Sequence, residues 1–211
     1  MVYIIFLCIA LPLVLMLPIL DKRGRYLIGF FLIGTLTAVC AFEINSLLFS
    51  VAGLGSVRFT QTIPPITEEI LKFVPVCVYA LILSNNRRDV LPIAMSVGVG
   101  FAILENTVLL TQNMATVSLG WAALRGLSSS LMHGLCTMIV GAGLPYVRIQ
   151  KKLFYTGTFG LWAIAVTLHG CFNLLIQSRL FYVGAALPMV IYVCIYLIRR
   201  KGALKLPFLS Y

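Results

Sequence analysis

The chain has 211 residues, 61% of them hydrophobic and only 10% charged, with a mean hydropathy of +1.03. A water-soluble domain carries roughly 25% charged residues to keep its surface wet, so the outside of this fold must be apolar too and its solvent is lipid. The net charge of +10 sits in short clusters between apolar runs, which is the pattern of topogenic signals and excludes a basic face for nucleic acid.

Taken in chain order, the apolar runs predict seven transmembrane helices at about 2–20, 26–53, 64–83, 90–110, 121–147, 153–177 and 181–198. Each is close to the length of about 20 residues that a helical span requires. Strand-like alternation is absent, so the fold class is an all-α helix bundle and not a barrel. Seven spans with short loops use nearly the whole chain, which reads as a single transmembrane domain over residues 1–211.

The first run has no basic segment before it and is followed by Lys22, Arg23 and Arg25. That order reads as a signal anchor with its N-terminus outside, more than a cleavable signal. Further basic clusters follow the third run (Arg87, Arg88), the fifth (Arg148, Lys151, Lys152) and the seventh (Arg199, Arg200, Lys201, Lys205). All four clusters fall on one side if every span is real, while the opposite loops hold only Arg58 and Arg179. The positive-inside rule then gives N-terminus out and C-terminus in. Six cysteines, at 8, 40, 77, 136, 171 and 194, lie inside apolar runs with no CxxC pair and read as small buried hydrophobes.

Several polar residues contradict this apolar background. Glu43, Glu68, Glu69, Lys72, Glu105 and Arg125 lie within the predicted helices, as do His133, His169 and Asn173. A charge at mid-bilayer costs roughly 2.5–3.5 kcal/mol even on insertion scales. A lone buried histidine is usually a satisfied hydrogen-bonder, and a Glu–Lys pair is often a clip between helices. The set as a whole demands more.

In the third run, Pro64-Pro65 is expected to open a helix, placing Glu68 and Glu69 in its first turns, where the helix dipole favours negative charge. Lys72 is four residues beyond Glu68 and three beyond Glu69. The acid-first i, i+4 spacing favours the Glu68–Lys72 pair, leaving Glu69 free to act as a base. In the fourth run, Gly98 and Gly100 allow close approach of another helix, and Phe101 and Glu105 share one face. Arg125, Ser129 and His133 recur at i, i+4, i+8 on the fifth, and His169 and Asn173 at i, i+4 on the sixth. Carboxylates and histidines from four helices can activate water, with or without a metal. With the orientation above, most of them fall in the outer half of the bundle and His133 lies deeper. The expectation is a water-accessible cavity open to the extracytoplasmic face.

These residues, Glu68-Glu69-x-x-Lys72, Phe101-x-x-x-Glu105, His133 and His169-x-x-x-Asn173, resemble in order the signature of the PrsW intramembrane proteases, relatives of the CAAX prenyl endopeptidases. The resemblance covers about residues 64–177, a protease core that also includes Arg125 and Asn106, and leaves Glu43 outside. It implies an intramembrane endopeptidase acting on a membrane-anchored protein substrate, such as an anti-sigma factor, in the bilayer of a bacterial cytoplasmic membrane. By that likeness Glu68 and Glu69 supply the base, Glu105, His169 and Asn173 complete the catalytic set, and Lys72, Arg125 and Asn106 support it. His169 and Asn173 would bind water or metal and stabilise the oxyanion. Zinc on His133, His169 and Glu105 and a metal-free glutamate mechanism are both open; the CAAX relatives carry His where this chain has Glu105. The competing readings are a non-catalytic scaffold similar to the Aph subunit of gamma-secretase, which lacks the carboxylate pairs, and a proton-coupled transporter.

Overall fold

A computed structural model describes residues 1–84, 86–150, 152 and 154–200. Lys151, Lys201 and Lys205 of the basic clusters, and Leu153 at the expected start of the sixth helix, lie outside the described residues. Among the described residues the fold is all-α, without strands. Seven α-helices follow one another: α1 Val2–Met16, α2 Lys22–Ala52, α3 Ser56–Val78, α4 Arg87–Gln112, α5 Leu119–Ile149, α6 Phe159–Ile176 and α7 Phe181–Arg200. A π-helical turn, Tyr79–Leu83, continues α3, and another, Phe154–Thr158, leads into α6.

Three helices begin earlier than hydropathy suggested because polar caps precede them. Asp21 accepts from the Gly24 N–H, Asn86 from the Arg88 N–H and Ser118 from the Trp121 N–H, each satisfying a donor that the first turn leaves free. Helix α2 ends at Gly53, whose φ of 62° is the left-handed conformation glycine adopts at little cost.

The largest departure is α3, which starts at Ser56, so Pro64 and Pro65 are internal and do not open the helix. The upstream turns are held by packing: Phe59 is buried and meets the Phe49 ring edge-on at 5.1 Å. Inside a bundle, neighbouring side chains can compensate for the hydrogen bonds that prolines remove. Thr67 Oγ1 donates to Asn45 Oδ1 of α2 at 2.6 Å, and Gln61 Nε2 to Gln177 Oε1 beyond α6 at 3.3 Å. Glu68 and Glu69 therefore lie well inside α3, beyond the reach of its N-terminal dipole, and their charge is met by side chains.

Four helical stretches are long and apolar enough to cross a membrane by length and composition: Lys22–Ala52, Arg87–Gln112, Leu119–Val147 and Tyr155–Ile176. Helices α1 and α7 are apolar but shorter in the described residues. Any span-length stretch of α3 contains Glu68, Glu69 and Lys72. Helix α4 packs chiefly on α2 and α5, and α3 touches α2, α4, α5 and α6.

Gly98 and Gly100 set the central crossings. A Cβ on Gly98 would lie 2.5 Å from the His133 carbonyl oxygen of α5, and one on Gly100 would overlap the Phe31 carbonyl of α2. Small residues here let the backbones touch, as in membrane helix pairs generally. Contrary to the expectation of burial, only Cys136 among the six cysteines is buried; Cys8, Cys40, Cys171 and Cys194 lie on the outer surface.

Candidate active site

The crossing at Gly98 dictates what comes next along both helices. Going up α4, Phe101 and Glu105 follow Gly98 on the same face at i+3 and i+7; going back along antiparallel α5, Ser129 and Arg125 precede His133 at i−4 and i−8. Close contact at Gly98 therefore brings His133 under the Phe101 ring, with centroids 5.1 Å apart. His133 Nε2 comes 2.8 Å from Glu105 Oε2, and an Arg125 terminal nitrogen 3.4 Å from Glu105 Oε1.

Helix α3 delivers the remaining charges from the other side. Lys72 is 0% exposed, with its ammonium 2.5 Å from Glu69 Oε1, 2.9 Å from His133 Nδ1 and 4.9 Å from the centre of the Phe101 ring. Glu69 is 1% exposed, and its Oε1 also receives His169 Nδ1 at 2.8 Å. Lys72 thus pairs with Glu69, correcting the expected Glu68–Lys72 pair. The i, i+4 preference is worth a few tenths of a kcal/mol on an exposed helix. It is outweighed here because Glu69 faces the interior, where Lys72 and both histidines also point. Glu68 is left without a cation: its buried Oε2 has no hydrogen-bond partner among the described residues and lies 3.7 Å from His169 Nε2.

Donor and acceptor chemistry assigns the tautomers of the neutral rings. An ammonium only donates, so His133 Nδ1 accepts from Lys72 and the proton of the neutral ring sits on Nε2, facing Glu105. Ionised Glu69 only accepts, so His169 donates from Nδ1; in the neutral ring the lone pair is then on Nε2, facing Glu68. The His133 and His169 rings meet edge-on at 4.7 Å. His133, expected to lie deeper than the rest, belongs to the same cluster. The structure thus brings together Glu68, Glu69, Lys72, Glu105, Arg125, His133 and His169.

A cavity of about 960 Å³ opens onto this cluster. Glu68, Phe101, Glu105, Arg125 and Asn173 line it, with Asn45, Asn113, Ser118 and Gln177 toward the far ends of the helices. Asn173 joins the site through this cavity. Asn106 is buried, has no hydrogen-bond partner among the described residues and is not among those lining the cavity. Glu43 stands apart and accepts from the Tyr3 hydroxyl at 2.7 Å, tying α1 to α2. Asn45 was not singled out in the sequence; its only signal there was an amide within an apolar run.

Comparison with known families places the chain as a whole. The PrsW family intramembrane metalloprotease model matches residues 22–198, from the start of α2 through most of α7. The chain belongs to the PrsW family. It is an integral membrane protein and a protease, which fits a substrate in the membrane and the bilayer as its surroundings. No curated protein matches the chain, and no solved structure does. The PrsW match extends beyond the motif-bearing residues 64–177 to include α2 and α7, which carry none of the signature.

The description of the PrsW family as metalloproteases allows the donor set to be checked against a metal. Glu68, His133 and His169 each bring a ligand atom to within 4.8 Å of the others, an N, N, O set of the kind that holds zinc with one position open. Glu68 Oε2 and His169 Nε2 have lone pairs to give. His133 has none to spare, since Lys72 occupies Nδ1 and the Nε2 proton faces Glu105. The triad differs from the His133, His169, Glu105 set expected from the sequence, and in this hydrogen-bond arrangement it supplies two ligands instead of three.

Proposed function

We propose that this protein is a glutamate-type intramembrane endopeptidase in which Glu68 is the general base. The observation that carries the reading is the buried Glu68 Oε2, without a hydrogen-bond partner among the described residues, facing His169 Nε2 across 3.7 Å at the edge of the cavity. That separation is too long for a direct hydrogen bond and suits one water donating to both acceptors. The water's own lone pairs are then free to attack a peptide carbonyl in the cavity. Glu69 is bonded to Lys72 and His169, and Glu105 lies between His133 Nε2 at 2.8 Å and Arg125 at 3.4 Å. Glu69 holds the His169 tautomer and orientation, and Lys72 does the same for His133. Asn173, one helical turn beyond His169, supplies an amide donor for the carbonyl oxygen. The proposed substrate is a membrane-anchored regulator such as an anti-sigma factor in a bacterial cytoplasmic membrane, and the loop charges put its cleavage near the extracytoplasmic face.

The test is cleavage of a single-span substrate by the purified protein in lipid nanodiscs, with metal content measured on the same sample. Glu68→Gln is expected to lower kcat by about 10²–10⁴-fold, the usual contribution of a general base. Activity is expected to survive chelation. Loss of activity on chelation that is restored by zinc would overturn the metal-free mechanism, and full activity of Glu68→Gln would remove Glu68 as the base. No cleavage of any single-span substrate would favour the scaffold reading.

A further inference from the structure

We propose that Arg125 is a catalytic residue whose guanidinium donates to the peptide oxygen as that oxygen becomes an oxyanion. This rests on the reading of Glu68 as the base. Three features of the site carry it. Arg125 is the one cation among the described residues lining the cavity; Lys72 lies behind Glu69 and His133, fully buried and already bonded to both. The Arg125 side chain is 9% exposed, yet its bond to Glu105 is a single contact at 3.4 Å, and its Nε is buried with no hydrogen-bond partner among the described residues. A guanidinium carries five donors in a planar fork and normally meets a carboxylate two at a time at 2.7–2.9 Å, so Arg125 holds donors in reserve. Its carbon also lies 5.9 Å from the Phe172 ring, the residue preceding Asn173 on α6. Donors from α5 and α6 therefore face the same cavity.

The reaction calls for such a cation. As water adds, its proton passes to Glu68 Oε2, its oxygen bonds to the scissile carbon, and the carbonyl π pair moves onto oxygen. One negative charge thereby leaves Glu68 and appears on the substrate. Arg125 turns from its loose contact with Glu105 toward that charge without leaving the cavity wall. On collapse the pair returns, the C–N bond breaks and the Glu68 proton goes to the leaving amine. A donor that meets the oxygen only as its charge develops acts on the transition state and not on the ground state.

The discriminating experiment compares Arg125→Gln and Arg125→Lys with the parent enzyme for kcat, KM and the affinity of a phosphinate peptide, a tetrahedral anionic mimic of the intermediate. Arg125→Gln is expected to lower kcat about 10²–10³-fold with KM within about twofold. Phosphinate affinity should fall by a factor similar to that in kcat/KM, and Arg125→Lys should recover part of both. Thermal melts of each variant keep folding apart from chemistry. If Arg125→Gln does not fold, the Arg125→Lys split between kcat and KM decides. An unchanged kcat, or equal losses for phosphinate and for substrate bound to Glu68→Gln, would overturn the proposal. Failure of the underlying reading shows separately, as activity retained in Glu68→Gln whatever the Arg125 variants do.

Discussion

Glu68 and Glu69 are adjacent carboxylates with opposite surroundings, and their amide variants should therefore fail differently. Glu69→Gln strands the Lys72 ammonium, which has no exposure and keeps, among the described residues, only His133 as a hydrogen-bond partner. Removing one member of a buried ion pair costs about 3–5 kcal/mol, so this variant is expected to melt well below the parent. Glu68→Gln removes no cation's partner and should melt within about 1 kcal/mol of it while losing cleavage. Adding Lys72→Met to Glu69→Gln should restore much of the melting temperature without restoring activity. Equal melting of the two glutamine variants would contradict the pairing. Which residues belong to the cluster was legible in the sequence, because every one breaks an apolar run. Which carboxylate took the lysine was not. That depends on the side of α3 facing α5 and α6, and helical spacing places Lys72 within reach of both.

At the scale of helices, the α4–α5 crossing has the least tolerance. Gly98→Ala would push a methyl group into the His133 carbonyl and the Gly134 Cα, an overpacking expected to cost about 1–3 kcal/mol. The resulting shift moves His133 and Glu105 apart, and misplacement by about 1 Å can cost some 10²-fold in rate. Gly29→Ala, where an added Cβ meets nothing within 4 Å, is the control and should be silent in both melting and cleavage assays. If Gly98→Ala is equally silent, the crossing does not set the site. The sequence displayed this crossing as a glycine pair, and seven helices as seven apolar runs. It hid the first turns of α3, because a Pro-Pro pair ordinarily starts a helix and the packing of Phe59 on Phe49 that carries the helix through it is tertiary.

For the molecule as a whole, the cavity opens where α3 begins, where α4 hands over to α5 and where α6 ends. Ser56, Thr116 and Gln177 mark that mouth. The basic clusters predict that this end is extracytoplasmic. In a variant without native cysteines, Ser56→Cys and Thr116→Cys are expected to react with a membrane-impermeant thiol reagent added outside intact cells. Ser84→Cys, at the opposite end of α3, should react only after permeabilisation. The reverse pattern would invert the protein and move cleavage to the cytoplasmic side.

The charges of α3 also bear on how the protein is made. Helices α2, α4 and α5 can partition into lipid one at a time on their own hydropathy. Helix α3 carries Glu68, Glu69 and Lys72 in every span-length stretch, and at roughly 2.5–3.5 kcal/mol for each charge it is a poor candidate for solitary insertion. Its partners arrive later in translation, His133 on α5 and His169 on α6. Helix α3 thus becomes at home in the membrane only once α5 and α6 have arrived, and the bonds that gather the buried charges are the same bonds that complete its biogenesis.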